Sequence, residues 1–460
     1  MARDMTVVNR DGSLSRALAD AVIGWRWADM PAPVQRQTLR SLVNFFACAL
    51  AGYRDPAVTT AARVFARLGP AGHCTRIGSG VATNALHAAS LNAMAANVLD
   101  FDDTHMPTIA HPTAPVAPAA LALSQMRRIS GIELLEAVAA GIELECRIAL
   151  AMSPGHYSRG WHITSTCGVF GAAAAAARLV GLDSQQTVWA FGSAAVQGAG
   201  LVEMLGTMSK SLSVGNAAAN GMLSVWLAEA GFAGPPAPLD GERGFVPVFG
   251  PTVNWPALAE GLGERWEILA NTFKPYPCGV VLNPVIEACL TLRPSVAERL
   301  EQVSRIELRA HPLLRQRTDR PGVNSGKLSQ VSAQHAVAAS LSRGRAGLDE
   351  FSDAAVSDPR LKAFERMLRF VDDESLGVEA AEVTLLMADG ARLSHRVDAA
   401  HGSLASPLTD DELSAKCREL VRYGESGVDA EALLDALWRL EEAPDASVLL
   451  TLAAGRHGSV

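Results

Sequence analysis

The chain has 460 residues, a formal net charge of −8, 49% hydrophobic residues and 19% charged ones. That length is too great for one simple core and predicts two domains, and the composition excludes a disordered chain. The charges are spread with no basic stripe, which argues against a nucleic-acid partner.

In chain order, residues 1–22 (MARDMTVVNRDGSLSRALADAV) carry acids early and lack an apolar run, so no secretory signal is expected. Apolar periodicity then predicts helices over 13–27, 33–51, 58–68, 82–99, 114–128, 132–152, 168–180 and 216–230, with a further one capped by Asp183 or Ser184. Their inward faces are rich in Ala and Gly, which lets helix axes approach closely and predicts a nearly all-α domain. The Ala-rich stretch 168–182 is broken by Arg178 and falls short of the ~20 apolar residues of a membrane span, so no membrane partner is expected. Seven cysteines without CxxC or zinc spacing predict reduced thiols and a cytoplasmic setting.

Residues 233–260 are crowded with Pro and Gly and read as a boundary or a long ordered loop. Beyond them the period changes. A strand is expected at 303–310, and 382–388 with 391–397 flank Asp389-Gly390, a type I′ hairpin signal. Helices are expected at 283–292, 332–342 and 359–369, and again at 410–422 and 429–440. The expected fold class is therefore mainly α: a large all-helical domain (1–268, completed by 403–460) with a smaller α+β lid domain (269–402).

Chemistry concentrates in 97–115, NVLDFDDTHMPTIAHPTAP. If the 82–99 helix continues to Pro107, Asp100, Asp103 and Thr104 share a face, Asp102 points elsewhere, and His111 returns from a loop. Carboxylates at a helix C-terminus oppose the dipole and need another reason to be there. A divalent cation on Asp100, Asp102, Asp103, His105 and His111 is one option, but no strict ligand spacing supports it, so no metal is expected. His162, in Gly160-Trp161-His162 before a small-residue helix, can sit at a helix N-terminus, where the dipole favours the neutral base. Lys210, in GTMSKSLSVGNAAANG, is the single cation of a nearly uncharged stretch and suits a substrate carboxylate. Lys274 is locked in the turn FKPYPCG, and His335 lies on a small apolar helix face that by itself reads as core. Phosphate-loop, dinucleotide and GxSxG signatures are absent.

Taken together, DFDDTH…HP, GWHITSTCGVFGAAAAAARLVGL, SKSLSVGNAAANG, DGERGF and FKPYPCG resemble, in this order, the motifs of the MmgE/PrpD family, over about residues 13–400. The resemblance implies a homodimeric enzyme without metal or organic cofactor. The expected activity is a hydro-lyase on a small di- or tricarboxylate, with epimerases and decarboxylases as the alternatives within the family. By matching motifs, Asp100, Thr104, His111, His162 and Lys210 take catalytic places and Lys274 a substrate-binding one. Asp103 joins the binding set. The Thr104–His111 spacing is one residue longer than the family's common form, which makes His105 a rival there. His335 falls where several members carry tyrosine, a change that favours the epimerase or decarboxylase alternative. A non-catalytic helical binding protein is the remote alternative.

Overall fold

A computed structural model describes residues 12–69 and 72–455; the first eleven residues of the stretch read for a secretory signal lie outside them. The described chain divides into two compact units, residues 12–69, 72–98, 102–271 and 410–455 in one and 99–101 with 272–409 in the other.

The first unit is helical. Its centre is the Ile163–Val180 helix, packed against Gly131–Met152, Thr113–Ser124 and Met208–Glu229. Small residues set that spacing: Ala172 to Ala177 are all fully buried, and a Cβ on Gly221 would lie 2.5 Å from that of Ala172. Close axes gain dispersion contacts that longer side chains would prevent. The Ile163–Val180 helix is long and apolar enough to cross a membrane, yet 83% of it is buried inside the protein.

Helix starts follow local chemistry. Ser130 and Glu133 form a capping box for Gly131–Met152, and Asp183 with Gln186 does the same for Ser184–Ala195. The DGERGF turn has a structural use: buried Asp240 accepts from the Leu14 and Ser15 amides at the start of Ser13–Gly24. A carboxylate there complements the helix dipole. The Pro/Gly-rich 233–260 segment is thus an ordered loop within the helical unit, and the partition falls at 271/272 instead. Farther on, Glu143 and Arg147 form a fully buried i,i+4 ion pair, and Arg147 also donates to the carbonyls of Glu260 and Gly261. All seven cysteines are buried free thiols.

The second unit carries a four-stranded sheet ordered Leu368–Asp372, Val303–Ala310, Ala381–Met387, Arg392–Val397. The first pair is parallel and the other two antiparallel. Val303, Ile306, Leu308 and Ala310 bury one face against Asn283–Val296 and Ala333–Arg343. Two expectations are corrected here. The 359–369 helix stops at Glu365, and the chain turns through Arg366 and Met367 into the edge strand. The Asp389-Gly390 hairpin is present, but with a three-residue loop. The Gly390 amide bonds the Met387 carbonyl, and Gly390 alone has positive φ (84°). Type I′ needs two left-handed residues, and a type I turn with glycine at the bulge needs one.

Candidate functional site

The acidic segment departs from the helical extrapolation. Ala85–Asn97 ends ten residues before Pro107; Asp100 takes a left-handed φ of 51°, and Asp103–His105 is a short strand. Asn97 donates to Asp102 Oδ2 at 2.7 Å, so the helix end and the strand start are tied by side chains. Asp100 tolerates the left-handed region better than most side chains, because its short polar group can bond locally.

The strand and the loop after it place His111 in the helical unit. The His105 amide bonds the Ala110 carbonyl at 2.8 Å, closing a tight loop in which Ile109 has φ 57°. The His111 amide then donates to Thr164 Oγ1 at 3.1 Å. His111 Nδ1 lies 2.8 Å from the Asp103 carbonyl oxygen and 3.3 Å from Asp102 Oδ1. Both neighbours are acceptors, so Nδ1 carries the proton and the neutral ring has its lone pair on Nε2.

His162 is the N-cap residue of Ile163–Val180, nearly buried at 4% exposure, with Nδ1 2.6 Å from Ser165 Oγ. Thr164, which holds the His111 amide, belongs to the same helical turn, so both histidines are fixed to one helix start. Lys210 lies in the first turn of Met208–Glu229, which begins eight residues before the expected 216. A cation at a helix N-terminus opposes the dipole, which itself attracts anions, so the position suits a carboxylate ligand. Thr104, at 2% exposure, is part of the strand.

Two expected binding residues are committed internally in this unit. Asp103 Oδ2 accepts from Asn271 Nδ2 and from the Thr113 hydroxyl, and burial pushes the carboxyl up to about 6, with Asp102 adding to the shift. His105 is fully buried between Thr108 Oγ1 (2.8 Å) and Glu267 Oε2 (3.4 Å). Both residues carry contacts that tie the strand to its surroundings.

In the second unit, Lys274 is 2% exposed and donates to the Asp100 carbonyl oxygen at 3.0 Å, with Asp100 Oδ1 at 3.3 Å. His335 is fully buried in the core, with Nδ1 3.0 Å from Glu365 Oε1 and Nε2 2.8 Å from the Glu350 carbonyl oxygen. It is a core histidine, as its own sequence context reads.

Sequence reasoning missed Thr164, Ser165, Ser213 and Glu145. The hydroxyls had a legible signal: Ser165 lies three residues after His162 and Ser213 three after Lys210, which is helical spacing. Glu145 sits in an apolar helical run with no such cue. It is fully buried, neither carboxyl oxygen has a hydrogen-bond partner among the described residues, and burial together with Asp103 raises its pKa well above 4.5.

Family models for the MmgE/PrpD N-terminal and C-terminal domains match residues 16–257 and 276–441. A human cis-aconitate decarboxylase is 29% identical over 80% of this chain and 79% of its own length. The cis-aconitate decarboxylase-like protein oryM of Aspergillus oryzae is 27% identical over 98% of this chain and all of its own length. A cis-aconitate decarboxylase of Aspergillus terreus is 25% identical over 97% and 98% respectively. With matched domains covering most of the sequence in the expected order, the chain belongs to the MmgE/PrpD family.

Proposed function

We propose that this protein is a lyase that moves a proton next to a carboxylate of a small di- or tricarboxylate and releases CO2 or water. The observation that carries the reading is the pair His111 and His162, both nearly buried and both fixed to one helix start through Thr164 and Ser165. Two imidazoles so placed suit a base and an acid, the roles histidine side chains most often fill in proton transfer. Negative charge develops beside the substrate carboxylate in either reaction, and Lys210 at its helix N-terminus would stabilise it. The family resemblance assigns Lys274 and Asp100 to the same chemistry, Lys274 for a substrate carboxylate and Asp100 for tuning that charge. It also supports a homodimer and a site without metal or organic cofactor, and the scattered cysteines support a cytoplasmic setting; light scattering, chelator treatment and fractionation test these in turn.

Decarboxylation is the first reaction to test, because the named relatives are cis-aconitate decarboxylases or like them. Dehydration is the second, since it needs the same acid and base. Epimerisation comes third: His335, whose position favoured epimerisation and decarboxylation alike, bonds Glu365 and Glu350, and the named relatives lend their support to decarboxylation alone. The test is proton NMR in deuterated water with a panel of di- and tricarboxylates that includes cis-aconitate. CO2 loss with deuterium incorporation supports decarboxylation, a new alkene from a hydroxy acid supports dehydration, and exchange without net change points to epimerisation. No turnover on any member of the panel overturns the reading.

A further inference from the structure

We infer that Ser165 and Ser213 form a one-way hydroxyl relay that holds His162 as the base tautomer, Nδ1 protonated and Nε2 carrying the lone pair. The inference rests on the reading of His162 as an acid–base group and names the residues that prepare it.

The geometry runs through three short contacts in the helical unit. His162 Nδ1 is 2.6 Å from Ser165 Oγ, Ser165 Oγ is 2.6 Å from Ser213 Oγ, and Ser213 Oγ is 2.8 Å from the Lys210 carbonyl oxygen. The first two contacts could each run in either direction. The third cannot, because a carbonyl oxygen only accepts. The single Ser213 proton is therefore spent on Lys210, and Ser213 Oγ must accept from Ser165. Ser165 has then spent its own proton, so its oxygen must accept from His162 Nδ1–H. The direction is set at the far end of the relay and transmitted to the ring. A lone hydroxyl beside Nδ1 could donate or accept and would leave the tautomer undetermined.

The surroundings keep the relay in register. Ser165 is 1% exposed, and Gly200 passes over it so closely that an added Cβ would lie 2.8 Å from Ser165 Cβ and 2.9 Å from its Oγ. Gly200 also accepts from the His162 amide at 3.0 Å and has φ 147°, so a side chain there is excluded by contact and by conformation. The relay also joins His162 to the turn that bears Lys210, which links the orientation of the base to the helix start bearing the cation. Ser165 and Ser213 are positioning residues.

Nitrogen-15 NMR of the histidine-labelled, ligand-free protein reads the tautomer without reference to activity, with His162→Gln assigning the signals. In the parent, His162 should show a protonated Nδ1 and an unprotonated Nε2. Ser165→Ala and Ser213→Ala should each shift population towards protonated Nε2, and kcat on the true substrate should fall about 10-fold or more with KM little changed. Ser213→Thr keeps the hydroxyl and should restore both readouts. Ser213 is half-buried, so its Ala and Thr variants carry the test if Ser165→Ala does not fold. A parent ring protonated on Nε2, or a tautomer unchanged in Ser213→Ala, overturns the inference. If the relay sets the tautomer but His162→Gln turns over normally, the functional reading fails while the relay stands. If His162→Gln is inactive and the tautomer ignores Ser213, the reverse holds.

Discussion

Two histidines sit at helix starts in different parts of this molecule, and their surroundings differ in kind. His162 caps Ile163–Val180, and its Nδ1 meets a hydroxyl; His335 lies in the first turn of Ala333–Arg343, its amide capped by Ser332, and its two nitrogens meet a carboxylate and a carbonyl. Burial does not separate them, at 4% and 0% exposure. What separates them is the kind of partner at Nδ1, a hydroxyl for His162 and a carboxylate for His335. A ring held at both ends by oxygen acceptors is a cross-link, whereas a hydroxyl partner can hold a ring and still let its lone pair be aimed.

The largest expected effect comes from breaking the first member of the pair. His162→Gln should lower turnover by roughly 10²–10⁴-fold, the scale of a lost general acid or base, and one limb of the pH–rate profile should vanish. Melting should move little, since glutamine can still bond Ser165. Steady-state kinetics across pH together with calorimetry checks both statements; parental turnover with an intact two-limbed profile would remove His162 from the site.

Lys210→Met comes next. The substitution keeps most of the stem and removes a charge that the helix dipole opposes. Stability should hold or rise slightly, while turnover falls about 10²-fold, comparable to losing one oxyanion donor. A loss confined to KM would instead mark Lys210 as a binding group for substrate and transition state alike.

His335→Leu tests the other side of the comparison. It strands the Glu365 carboxyl and the Glu350 carbonyl, each a buried acceptor, at roughly 1–3 kcal/mol per unsatisfied group. Melting should fall by several degrees. Turnover per folded molecule at permissive temperature should stay within a few-fold of the parent. A specific kinetic defect in a protein of parental stability would return His335 to the substrate.

The sequence was most legible where chemistry is local. The cap expected at Asp183 or Ser184 and the hairpin position follow from neighbours a few residues apart, and the structure has the cap at Asp183 and the hairpin at Asp389-Gly390. It was least legible where a partner is distant in the chain. The stop at Asn97 rather than Pro107 depends on side-chain ties such as Asn97–Asp102 and on a left-handed Asp100, which propensity does not encode. The role of Asp240 depends on a helix start 225 residues away. Among site residues, His162 stood out because it precedes a small-residue helix and Lys210 because it is the single cation of a nearly uncharged stretch. The internal commitments of Asp103, His105 and His335 depend on Asn271, Glu267 and Glu365, far along the chain.

The smallest effect on activity, and the clearest on pH, is expected at Glu145. It shares a helix with Glu143, whose carboxyl is held by Arg147 and the Ile268 amide. Burial still pushes Glu143 up to about 7, but its oxygens are occupied. Glu145 has no such partners among the described residues, and glycines make room for it: a Cβ on Gly171 would lie 2.5 Å from Glu145 Oε2. Its folded pKa is raised, so the folded state keeps a proton that the unfolded chain releases above about 4.5. Folding then takes up a proton above about pH 4.5, and this contribution to stability declines as pH rises from there towards the folded pKa. Asp103, raised to about 6, contributes with the same sign between its ordinary value of 3.8 and that point. Glu145→Gln replaces the protonated carboxyl with a neutral group of similar shape that does not titrate. Its melting temperature should match the parent near pH 4 and exceed it by a margin that grows as pH rises, while turnover stays within about two-fold. Thermal melts of both proteins from pH 4 to 8 check this. A margin that is flat or shrinks with pH would mean that Glu145 is ionised in the folded protein.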